Sequence, residues 1–94
     1  MRIYKYNQKI EDKLVTILKL AYKINCETGY AVFLNFSGHV NSFGVEVSKS
    51  KERFYKKLIN TDFYLEPFDE NDKDEWKKIE TKLDNLIDNL KNYQ

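Results

Sequence analysis

Tyr30-Ala31-Val32-Phe33-Leu34-Asn35-Phe36-Ser37-Gly38-His39-Val40-Asn41-Ser42-Phe43-Gly44-Val45-Glu46-Val47 keeps a two-residue apolar beat on both sides of Ser37-Gly38-His39-Val40-Asn41. Successive side chains of an extended chain point to opposite faces. Tyr30, Val32, Leu34 and Phe36 therefore share one face, and Phe43, Val45 and Val47 continue it on the return. Ser42, Gly44, Glu46 and Ser48 point away. Gly38 and Asn41 are residues that turns select, so the stretch predicts a β-hairpin with one face on the core. Ala31, Phe33 and Asn35 take the other side, where Phe33 is partly exposed or covered by the loop that follows. Gly44 beside it leaves room for an aromatic ring to lie across the sheet, which makes this side a candidate binding face.

Upstream, Ile10, Leu14, Ile17, Leu18, Ala21 and Ile24 follow helical spacing, with Asp12, Lys19 and Lys23 opposite. A helix is predicted over residues 8–27, capped by Asn7 and closed by a left-handed Gly29. Ile3, Tyr4 and Tyr6 either add a short strand or fray. Cys26, on the last turn near the core-facing side, reads as buried apolar filling.

Downstream, residues 61–66 alternate Phe63 and Leu65 against Asp62 and Tyr64, a third strand ended by Glu66-Pro67. The connector 49–58 reads as a short helix, since Phe54 and Leu58, like Tyr55 and Ile59, are spaced by four. From Asp69 or Asp72 a second helix begins, with acidic residues in its first turn where the macrodipole favours them. Trp76, Ile79, Leu83, Leu86, Leu90 and Tyr93 form a heptad-like stripe with Ile87 beside it. Two and a half repeats are short for a coiled coil, so the stripe is expected to pack on the sheet, a homodimer through residues 76–93 being the other use of it. The fold class is α+β, in the order α-β-β-β-α: a three-stranded antiparallel meander with both amphipathic helices on one face.

The 94 residues suit a single domain, and 7 Tyr, 6 Phe and Trp76 are the material of its core. One Cys excludes an internal disulfide, no signal-peptide core follows Met1, and no apolar run is long enough to cross a bilayer. The expected setting is the cytoplasm, with no membrane. The net charge of +1 conceals two poles. Lys49, Lys51, Arg53, Lys56 and Lys57 oppose only Glu52, whereas Asp62, Glu66, Asp69, Glu70, Asp72, Asp74 and Glu75 oppose only Lys73.

Chemistry finds little footing. His39, the one imidazole, sits at a turn tip, and nothing in the sequence brings Ser37, Ser42 or Cys26 onto it, so no enzyme is expected. One Cys and one His fall short of a zinc site. The run 69–75 is no EF-hand, because Lys73 takes the fifth loop position and Asp74 the sixth, where Gly is required. No metal and no cofactor are expected. Asp69, Glu70, Asp72, Asp74 and Glu75 are instead candidates for engaging a basic partner, by local imitation of nucleic acid. The alternative is a small nucleic-acid-binding regulator, in which Lys49, Lys51, Arg53, Lys56 and Lys57 neutralise phosphates and Phe54 or Tyr55 stacks on a base.

The segment around Ser37-Gly38-His39-Val40-Asn41, within residues 30–47, resembles one in small uncharacterised proteins of phages and prophages of low-GC Gram-positive bacteria, as does the plan of a helix before it and a Leu-rich helix after. Residues 49–58 do not share the likeness. The resemblance implies an accessory phage protein acting in the bacterial host cell, one that binds and modulates or inhibits a host or defence protein without chemistry of its own. Anti-CRISPR inhibitors are among such proteins.

Overall fold

The computed structural model describes residues 3–52 and 56–94. Its elements are α1 (Gln8–Glu27), β1 (Ala31–Ser37), β2 (Ser42–Ser48), β3 (Lys57–Tyr64) and α2 (Lys73–Lys91), the predicted α-β-β-β-α order. Asn7 caps α1 as expected: its Oδ1 accepts the Ile10 N–H at 3.3 Å. The other end closes differently. No glycine has positive φ, and an extended Thr28 takes the role given to Gly29. The Thr28 N–H and hydroxyl both donate to the Ile24 carbonyl, at 3.0 and 2.5 Å, and its Oγ1 accepts the Tyr30 N–H. The Thr28 side chain thus doubles the last helical bond and turns the chain into β1, in place of a left-handed residue.

The sheet is an antiparallel meander in the order β1-β2-β3. Val32 lies opposite Val47, Leu34 opposite Val45 and Phe36 opposite Phe43, so the predicted face is continuous in register, but it leaves the core at the turn, where Phe36 is exposed instead of buried as expected. Asn41 carries the turn with a φ of 53°, the only positive φ among the described non-glycine residues. β3 starts earlier than the alternation suggests. A register irregularity between Val47 and Ser48 pairs Ser48 with Lys57 and Val47 with Ile59. Leu58 is the residue left over, which is how a bulge hides strand periodicity. Residues 57–60 are therefore strand and not the end of a helical connector; Phe54 and Tyr55 lie outside the described residues. Ile3, Tyr4 and Tyr6 belong to no strand.

Ile10, Ile17 and Ile24 of α1 pack with Phe43, Val45 and Val47 of β2, with Leu65, and with Ile79, Leu83, Leu86 and Leu90 of α2. Trp76, Ile87 and Tyr93 lie against this core, so the heptad-like stripe packs within the chain. Cys26 is exposed, contrary to its predicted burial. It lies two residues beyond Ile24, about 200° around the helix from a fully buried side chain.

α1 ends, and β1 begins, at the end of the sheet where the β2–β3 connector lies. α2 begins at the opposite end, beside the β1–β2 turn, so the two helices run in the same direction. Lys13 and Asp84 bridge them at 2.6 Å. No helix among the described residues is long and apolar enough to cross a membrane.

Candidate functional site

The charged poles of the sequence become the two ends of an elongated molecule, 42 Å in its longest dimension. The acidic run 69–75 leads into α2 at the turn end, and the basic connector joins β2 to β3 at the other. Part of this segregation serves the helices. Asp72 caps α2, its Oδ1 accepting the Asp74 and Glu75 N–H groups, and the acidic first turn faces the positive end of the helix dipole. Asp69 Oδ1 accepts the Asn71 N–H. Glu75 pairs with Lys78 at 2.9 Å, and this contact, with further help from Asp72 and Asp74, pushes the Lys78 ammonium above the ordinary lysine value. Of the five acidic candidates for partner binding, Asp69, Asp72 and Glu75 thus have local structural work. Asp74 adds its charge to the first turn of α2 and to the field at Lys78, and Glu70 contributes its carbonyl oxygen, which accepts the Trp76 indole N–H at 2.8 Å.

At the basic end the ammonium of Lys51 donates to the Thr28 carbonyl at 2.5 Å, beside the negative end of α1, and Lys57 pairs with Glu46 at 3.1 Å. The Lys49 N–H donates to the Lys56 carbonyl and draws the connector ends together. Arg53, Phe54 and Tyr55 lie outside the described residues. Among the described candidates for phosphate contact, Lys49 and Lys56 keep side chains directed to solvent, while Lys51 and Lys57 are engaged within the protein.

Toward the β1–β2 turn the outer face of the sheet holds exposed residues, whereas at the connector end Ala31 and Ser48 on that face are buried, contrary to the expectation that Ser48 points away from cover. Asn35, Gly44 and Asp62 lie in one row across it and Phe33, Glu46 and Asn60 in the next. Phe33, 42% exposed, lies along an open trough of about 480 Å³ that crosses Gly44. The floor at Gly44 is tight: a methyl group there would come within 3.2 Å of Asp62 Cβ and 3.3 Å of the Thr61 carbonyl oxygen. Asp62 supplies negative charge to this trough, while the Glu46 carboxylate at its edge is already paired with Lys57.

The turn end holds a feature that sequence reading misses. Tyr4, Val40, Tyr64, Glu66, Pro67 and Phe68 line a pocket of about 320 Å³. Three segments far apart in sequence build it, and each is fixed by a hydrogen bond. The Tyr4 hydroxyl donates to the His39 carbonyl at 2.5 Å, the Lys5 N–H donates to Glu66 Oε2 at 2.7 Å, and the Leu65 N–H donates to the Asn41 carbonyl at 2.9 Å. Leu65 and Pro67 point inward and are buried, which throws Glu66 and Phe68 the other way. Phe68 is fully exposed and Tyr64 largely so. The one available sequence signal was Phe68 itself, a lone aromatic residue between Pro67 and an acidic run.

His39 is exposed on the turn beside this pocket, and no hydrogen bond joins its ring to Ser37 or Ser42 among the described residues. Cys26 belongs to the far end of α1. No group of three or more His, Cys, Asp or Glu side chains converges on a metal-sized space among the described residues. Comparison of the chain with protein-family models, with curated proteins and with solved structures finds no match.

Proposed function

We propose that the chain is a small non-enzymatic interaction protein that binds a basic protein surface through its turn end. The observation that carries the reading is the placement of Phe68: a fully exposed ring at the mouth of an aromatic pocket, directly followed by the acidic run. Large apolar groups left in water next to complementary charge are the usual makings of an interface centre, because burying the ring supplies affinity while the charges steer encounter and set orientation. The resemblance of residues 30–47 to phage and prophage proteins supplies the biological setting, an accessory protein that modulates or inhibits a host or defence protein, with an anti-CRISPR inhibitor as the sharpest form of the proposal.

The test is affinity capture from host lysate, with and without nuclease, comparing wild type with Phe68→Ser and with Glu70→Lys/Asp74→Lys. A protein retained after nuclease by wild type and lost by these variants is the expected result. Equal retention by all three removes the turn end from the reading. Retention only without nuclease moves the function to the basic segment 49–57 and to nucleic acid.

A further inference from the structure

We infer that the pocket between Tyr4, Tyr64, Glu66 and Phe68 is a receptor for the cationic head of a single side chain, with arginine preferred, presented by a partner protein. The inference rests on the proposed interaction at the turn end and names the group that is recognised there. Three aromatic rings and one carboxylate border the same space of about 320 Å³, at the small end of the range of ligand pockets and suited to a side-chain head. An aromatic face carries negative quadrupolar charge and attracts a cation that lies over it. A planar guanidinium can stack on one ring while its N–H groups point at Glu66, which an ammonium on a flexible stem does less well.

Charge complementarity reaches beyond the pocket, since Asp69 and Glu70 directly follow Phe68 and deepen the negative potential at its mouth. Part of the wall is preset: the Tyr4 hydroxyl is held by the His39 carbonyl, Glu66 by the Lys5 N–H, and Pro67 is buried beneath, while the exposed rings of Tyr64 and Phe68 are the groups that binding would order. An anionic or neutral polar ligand would meet the carboxylate with no donor set to repay its desolvation.

The experiment is amide NMR titration of the full chain with N-acetyl-arginine amide, N-acetyl-lysine amide and the neutral isostere N-acetyl-citrulline amide. Saturable shifts at Tyr4, Val40, Tyr64, Glu66 and Phe68 are expected with arginine, smaller ones with lysine and none with citrulline. Glu66→Gln keeps an oxygen for the Lys5 N–H and should weaken arginine binding roughly threefold or more, as should Phe68→Leu. Glu70→Lys/Asp74→Lys should weaken arginine binding, by loss of the surrounding negative potential, without changing which pocket residues shift. Equal shifts with citrulline, shifts confined to residues 69–75, or unchanged binding in Glu66→Gln would overturn the inference. Capture of a partner that depends on Phe68 and Glu70 but not on Glu66 defeats the pocket alone, whereas capture indifferent to all three defeats the underlying reading.

Discussion

Tyr30 and Tyr93 meet edge to face, their ring centroids 5.1 Å apart and their planes at 83°, and so join the residue that enters β1 to the one that leaves α2. Such pairs contribute about 1 kcal/mol beyond the area they bury. Tyr93→Ala should lower stability by about 2 kcal/mol and Tyr93→Phe by far less. A double-mutant cycle with Tyr30→Ala, read from urea unfolding, should return a coupling of about 1 kcal/mol. A coupling near zero would mean that the rings pack independently.

Asn41 holds a φ of 53°, where a side chain with Cβ is strained and Asn is better tolerated than most. Asn41→Ala should cost about 1 kcal/mol, Asn41→Val more, and Asn41→Gly little. The bond from the Leu65 N–H uses the Asn41 carbonyl, which all three variants keep, so the ranking isolates backbone strain. Thermal unfolding of the set provides the measurement.

Gly44→Ala tests how closely β2 and β3 approach. The added methyl meets Asp62 Cβ and the Thr61 carbonyl, neither of which is the free end of a side chain. Crowding should outweigh the entropy gained by removing a glycine, for a net loss of about 1 kcal/mol. A variant more stable than wild type would show that the strands part easily.

Lys78 has its pKa raised by the hydrogen bond and charge of Glu75. A raised pKa means that the folded state holds the proton more tightly, so the contribution is complete below the unfolded lysine value and fades as pH climbs through the folded one. Lys78→Gln should therefore leave the pH dependence of stability unchanged at neutral pH and alter only its alkaline limb. Unfolding curves of the two proteins at neutral and alkaline pH decide it.

Cys26 is exposed and free. A maleimide should label it in the native protein nearly as fast as in urea, and Cys26→Ser should shift stability by no more than about 0.5 kcal/mol. Protection of the native thiol would contradict its position on α1.

Where one local rule acted alone, the sequence was legible. The spacing of Ile10, Ile17 and Ile24 with Asn7 ahead defines α1 to the residue, and the beat from Val32 to Val47 defines the hairpin within one residue at either end. Where two rules competed, the reading failed. Thr28 displaced Gly29 as the closing residue because a hydroxyl reached the Ile24 carbonyl, and the bulge beside Ser48 broke the alternation that would have announced Lys57–Tyr64 as one strand. Cys26 was misplaced by proximity to Ile24, although two residues along a helix is more than half a turn. The site was the least legible part. Tyr4, Val40 and Phe68 come together only through tertiary hydrogen bonds, for which no periodicity exists, whereas the acidic run was legible as the start of α2, with Asp72 one of the two starting residues expected.

The contact between α1 and α2 has a kinetic consequence. α1 with β1, β1 with β2 and β2 with β3 are each neighbours along the chain, so their contacts close short loops, and hairpins of this kind form in roughly 1–10 μs. The bridge from Lys13 to Asp84 spans nearly the whole domain. α2 is the last of the five elements to leave the ribosome, and until it docks, Val45, Val47 and the inner side of α1 stay partly open to water. Substitutions on the α2 stripe, such as at Leu83 or Leu90, should thus prolong the lifetime of a sticky nascent intermediate and lower soluble yield more steeply than their effect on equilibrium stability alone would suggest.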